Sequence, residues 1–129
     1  ATDYSPRLKV AAENPNRLFD LRTYTTHKGK RANINKRFRD HTCALFTKHG
    51  ITNLLYCDLM EDQQSADVTL TYLIAHKDDS ARAASWEAFR KDPAWEAARK
   101  ASQVDGPILL KKGGVQSILL VPVDYSAMK

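Results

Sequence analysis

The side chains in this sequence best suited to move protons or grip a ligand are its four histidines, five tyrosines and two cysteines. His27, His41, His49 and His76 follow no metal-binding pattern. His41 and His49, two helical turns apart, are too distant for a tight shared site without partners. A haem ligand would have to be His41 or His76, and the spacing singles out neither. No metal and no cofactor is therefore expected. Cys43 falls in mid-helix and Cys57 in mid-strand, the spacing of neither a disulfide framework nor a zinc knuckle, so both read as reduced core thiols. Gly29-Lys30 lacks the remainder of a phosphate loop, and serine-nucleophile motifs are missing.

One constellation survives. His41 lies near the edge of a helical apolar stripe, one turn after Arg37 and Phe38, while Arg22, Tyr24, Tyr56 and Tyr72 fall in segments that read as strands. Were the helix to cover a cavity, these five would meet there. An imidazole among phenols can bind a small organic ligand or transfer protons near neutral pH. The plainer reading is a half-buried histidine over a packed core, so no catalytic residue is assigned and whether the chain is an enzyme is left open. Asp20 and Arg22, two apart on one strand face, are expected to pair with each other or across an interface rather than to hold an anion.

The elements that must position these groups follow from periodicity. Residues 18–26, LFDLRTYTT, form a first strand with Phe19, Leu21, Thr23 and Thr25 on one face and Asp20, Arg22 and Tyr24 on the other. Helix one spans residues 30–49, with Ile34, Phe38, Thr42, Leu45, Phe46 and His49 on one side and Gly50 as its stop. Strand two, residues 51–59, puts Leu55, Cys57 and Leu59 opposite Leu54 and Tyr56. Strand three, residues 68–77, places Val68, Leu70, Tyr72, Ile74 and His76 on one face. Asp78, Asp79 and Ser80 are candidate caps for helix two, which runs to about Lys91, and Asp92-Pro93 restarts it. Trp86, Phe89 and Trp95, at helical spacing, read with Phe38 and Phe46 as core anchors rather than as an aromatic binding box. Residues 108–112 are a short strand or extended link. Strand four covers residues 115–123, its far end at an edge or beyond the paired region because Pro122 has no donor.

This order is α+β, the ferredoxin-like βαββαβ arrangement: a four-stranded antiparallel sheet with its helices on one face. The opposite face would expose more apolar surface than soluble monomers usually do, which predicts a symmetric homodimer, sheet against sheet. Residues 1–16 read as an arm or linker and residues 17–129 as the domain. Asp3-Tyr4-Ser5 recurs as Asp124-Tyr125-Ser126, as if the tail of one unit ran into the head of the next, so the chain is expected to be the downstream unit of a tandem pair. The net charge of +5 is modest. Lys28, Lys30, Arg31, Lys36, Arg37 and Arg39 lack interleaved aromatics, so a solvated basic face is expected and no nucleic-acid partner. No apolar run approaches the length of a membrane span, which predicts a soluble chain, cytoplasmic unless a leader has been removed.

With RLFDLRTYTT, a Gly-Lys turn, RFRDHTCALFTKHGITN, YLIAHK, SWEAFRKDPAWEAARKAS and a closing strand to VDYS, the chain resembles the NIPSNAP family over nearly all of residues 18–126. The resemblance implies the dimeric α+β barrel superfamily, whose other branches include cofactor-free monooxygenases, dye-decolorising peroxidases and haem-degrading enzymes. It carries no settled activity for this branch. Animal relatives are associated with mitochondria and with vesicle or mitophagy signalling. The expectation is a NIPSNAP-like dimeric barrel domain that binds a small molecule or a partner protein. The alternative is a cofactor-independent, monooxygenase-like enzyme using a pocket between helices and sheet, and a purely structural interaction module comes third.

Overall fold

The computed structural model describes residues 1–7 and 17–129. Strand β1 is Leu18–Thr25, β2 Thr52–Asp58, β3 Thr69–His76 and β4 Val115–Leu120. They form one antiparallel sheet in the order β2-β3-β1-β4. Helix α1 runs through Arg31–Arg37, a π-helical turn at Phe38–Thr42, and Cys43–Lys48. Helices α2, Asp79–Lys91, and α3, Pro93–Ser102, follow β3. This is the ferredoxin-like order. The 108–112 link is pinned as an isolated bridge, Thr26 to Leu109, and Pro122 lies past the end of β4.

The π-turn has a physical cause in the spacing of the apolar residues. Phe38, Thr42 and Phe46 are four apart, and steps of four drift around a helix of 3.6 residues per turn. One wider turn absorbs the drift: Cys43 N–H donates to Phe38 O, five residues back, and all three side chains stay buried. Gly50, at φ 77°, closes the helix in the left-handed region. Asp78 caps α2 by accepting from Ala81 N at 2.7 Å. Asp92 caps α3 by accepting from Ala94 N at 2.8 Å, with Pro93 in the first turn where its missing donor is harmless. Asp92 also accepts from Lys48 Nζ at 2.7 Å, and chiefly that bond, then His49, holds its carboxyl below the ordinary range.

Under the helices the core is aromatic. Phe38 packs within 5.1 to 6.0 Å of the rings of Tyr72, Tyr56, Tyr24 and Phe46, and Tyr56 stacks on Tyr72 at 5.2 Å. Leu70, Ile74, Trp86 and Phe89 belong to the same cluster, with Ile34, Leu45, Ile51 and Ile108.

The other face departs from simple alternation at the start of β2. A bulge between Asn53 and Leu55 removes Leu54 from the side of Tyr56 and buries it with Phe19 and Ala75 on the face away from the helices. The tail past β4 folds back onto the same face, with Met128 against this cluster and Lys129 O accepting from Arg17 Nε at 2.7 Å. Of the expected arm, residues 8–16 lie outside the described residues. Residues 1–7 dock along the outer edge of β2, where Thr2 N–H donates to Tyr56 O at 2.8 Å.

Candidate functional site

β1 turns Asp20, Arg22 and Tyr24 toward the helices, a polar row on what is otherwise the core side. The helices above them do not close over the row. α2 contributes Trp86 and Phe89, and α3, restarted by Asp92-Pro93, contributes Trp95, whose ring lies 4.5 Å from that of Phe89. On either side of this pair are two adjoining cavities of about 520 and 190 Å³. The larger is bounded by Arg22, Arg82, Trp86 and Arg90, the smaller by Tyr24, Arg37, Thr42, Arg99 and Gln103. Together they make one cleft lined by five arginines and, among the described residues, by no carboxylate.

Two of these arginines, Arg22 and Arg82, are already engaged. Asp20 is fully buried behind the cleft and accepts from Ser117 Oγ at 2.5 Å and from Arg82 Nε at 3.2 Å, with Arg22 NH1 at 3.5 Å. Burial opposes its ionisation, but the contacts with His76 and Ser117 and the charges of Arg22 and Arg82 prevail and hold the carboxyl at about 2. His76 Nε2 sits 3.9 Å from Asp20, beyond hydrogen-bonding reach. Arg22 Nε donates to the Tyr72 hydroxyl at 2.8 Å, and its guanidinium lies 4.5 Å over the Trp86 ring.

Arg37 is different. It is 6% exposed, stacks 4.9 Å over Trp95 and donates through NH1 to Ser102 Oγ at 3.2 Å, yet pairs with no carboxylate among the described residues. Its Nε is buried without an acceptor, as is Trp86 Nε1. Burial pulls its pKa below the ordinary guanidinium value, which starts so high that the side chain remains a cation. The cleft therefore presents a buried cation without a carboxylate partner among the described residues, set between flat apolar walls.

Of the five candidates named from sequence, Arg22 and Tyr24 line this cleft and Tyr72 stands directly behind Arg22. Tyr56 is buried nearer the β2 edge, where its hydroxyl bonds Asn53 Oδ1. His41 is exposed on α1. Thr42, on the apolar stripe, takes the inward position, so the imidazole does not meet the phenols. Burial raises the pKa values of Tyr56 and Tyr72 far above neutrality, and the Cys43 thiol is likewise pushed up to about 11. Arg22 combines both expected roles, pairing with Asp20 and facing the cleft. Arg37, Arg82, Arg90 and Arg99 were not recognised as site residues. The available signal was an arginine four residues from a tryptophan in each helix, Arg82 with Trp86 and Trp95 with Arg99, which puts each pair on one helix face.

The NIPSNAP family model matches residues 19–127. The chain belongs to the NIPSNAP family. Its fold recurs in a crystal structure described as an uncharacterized NIPSNAP domain protein from Burkholderia xenovorans, at 25% identity and TM-score 0.67, covering 84% of this chain and 97% of that one. A NIPSNAP family protein of unknown function from Agrobacterium tumefaciens matches at 14% identity and TM-score 0.72, over 91% and 96% of the two chains. A second from the same organism matches at 17% identity and TM-score 0.72, over 88% and 99%. The search of curated proteins finds no match. The NIPSNAP neighbours thus share the fold and supply no specific activity. Among the described residues no helix is long and apolar enough to cross a membrane, and no group of His, Cys, Asp and Glu side chains is placed to hold a metal ion.

Proposed function

We propose that this NIPSNAP domain binds a small organic anion with a flat apolar body in the cleft between β1 and helices α2 and α3. The observation that carries this reading is Arg37: a buried guanidinium without a counter-ion is costly, and a carboxylate or similar group entering the smaller cavity would neutralise it. Trp86, Phe89 and Trp95 suit a planar body. Catalysis is no part of the proposal. Among the described residues no histidine or carboxylate lines the cleft, and Tyr72 is held protonated, which favours binding over the oxygenase-like alternative.

The chain's two tryptophans both line the cleft, so their emission reports on occupancy. Titration with 1-naphthoate should quench it saturably, and the neutral 1-naphthamide should bind roughly tenfold more weakly, the difference expected for losing a charge-assisted hydrogen bond. Equal responses to the acid and the amide would refute the reading.

We further propose that the sheet face away from the helices joins a second copy. Ile118, Leu120 and Val121 are 57%, 40% and 72% exposed, next to half-buried Leu21, Leu55 and Leu73. The folded-back tail covers one end of that face and leaves β4 bare. A symmetric partner seated there would hide a continuous apolar strip.

A further inference from the structure

The tripeptide Asp-Tyr-Ser occurs twice, and both copies adopt the same turn. Ser5 N–H donates to Thr2 O at 3.2 Å, and Ser126 N–H donates to Val123 O at 3.0 Å. The first copy is docked on the outer edge of β2, the last strand on that side of the sheet. There Tyr56 N–H donates to Ser5 Oγ at 3.0 Å and Tyr56 O accepts from Thr2 N at 2.8 Å. The Tyr4 ring lies 5.3 Å from that of Tyr56 and 6.5 Å from that of Phe38, and its hydroxyl donates to Asn35 Oδ1 at 2.6 Å. Arg39 grips Asp3 through both carboxylate oxygens, at 3.0 and 2.6 Å, and lies over the Tyr4 ring. Every residue of the tripeptide is thus read by a separate group. The second copy follows β4, at the opposite edge of the sheet, with Asp124 exposed and Tyr125 87% exposed.

We propose that the edge site formed by Asn35, Phe38, Arg39 and Tyr56 is a receptor for the Asp-Tyr-Ser turn, and that residues 123–126 of a second copy of this chain are its intermolecular ligand. The chain's own residues 2–5 are the internal competitor. A preformed turn loses little conformational freedom on docking. Donor and receptor lie at opposite sheet edges, so the contact is head to tail and leaves both the cleft and the proposed dimer partner's seat on the sheet face in place. The tethered arm holds the site at a high effective concentration, which keeps the intact chain closed until the arm is weakened.

The test is fluorescence anisotropy of a labelled peptide, residues 121–129, titrated with the full chain carrying Asp3→Ala and Tyr4→Ala. Saturable binding is expected. It should weaken roughly tenfold when Arg39→Ala is added, when the peptide carries Tyr125→Ala, or when the chain keeps its own arm, the loss expected for one charge-assisted or competed contact. If the double variant unfolds, Asp3→Lys, which leaves Tyr4 in place and opposes Arg39 with like charge, gives the same reading. No binding up to roughly 1 mM peptide, or binding indifferent to Arg39, to Tyr125 and to the arm, would overturn the proposal.

Discussion

At the residue scale two buried charges, Asp20 behind the cleft and Arg37 in its wall, have opposite histories. Asp20 is buried but surrounded by donors, so folding favours its ionised form. Its carboxyl ionises at about 2 in the fold against 3.8 ordinarily, so the stabilisation is complete above the ordinary value and is lost as pH falls from there through the folded one. Asp20→Asn should therefore flatten the acid limb of a pH–stability curve between about pH 4 and 2. At neutral pH the same change should cost about 3 kcal/mol in a urea titration, because Arg22 and Arg82 lose their shared partner. Arg37 is the reverse case, buried with no partner. Arg37→Met keeps the length of the side chain and removes the charge, so it should raise stability by about 1 kcal/mol, net of the lost stacking on Trp95. The same variant should bind naphthoate at least roughly tenfold more weakly. A purely structural arginine would give lower stability, and that result would sink the assignment.

At the scale of elements, the cleft exists because α2 and α3 meet at a break. Asp92-Pro93 ends one helix and caps the next, and Asp92 is tied back to Lys48 and His49 at the end of α1. Three helix ends thus converge on one carboxylate while the aromatic residues beside it hold the walls apart. Trp86 belongs to both roles: its ring packs against Phe46 and Phe89 in the core and supports Arg22 in the cleft. Trp86→Ala should cost roughly 3 to 5 kcal/mol by chemical denaturation. Little loss would show that the ring is not packed. The 108–112 link obeys a different constraint. Gly114 O accepts from Thr25 N at 2.9 Å, and a Cβ on Gly114 would come within 2.0 Å of Leu110 O, so only glycine lets the chain pass from that link into β4.

For the whole molecule, the decisive quantity is the apolar surface left over after the helices have covered one side of the sheet. The tail removes part of it, and β4 keeps the rest in solvent. If two copies meet there, sedimentation velocity at roughly tens of micromolar should give a dimer whose population rises with concentration. Ile118→Glu, which sets a charge in the middle of the exposed strip, should return it to monomer without loss of secondary structure. A wild-type monomer at that concentration would remove the proposal. The Asp-Tyr-Ser edge site provides a separate control, because Arg39→Ala lies on the helix side and should leave this dimer intact.

Periodicity alone was enough to order the strands and helices, to keep Pro122 out of the sheet's interior and to find the Asp92-Pro93 break, because hydrophobic spacing, proline and glycine act over a few residues. Three features were decided only in three dimensions. The β2 bulge carried Leu54 to the other face because partner strands, not the local sequence, set the register. The π-turn, which keeps Phe38, Thr42 and Phe46 buried together and leaves His41 in solvent, answers to the aromatic surface beneath the helix. The cleft came from arginines spread between positions 22 and 99, each ordinary as a surface residue until packing removed its water and, for Arg37, supplied no opposite charge. Local rules specify which segments form; burial and charge compensation depend on which distant segments meet.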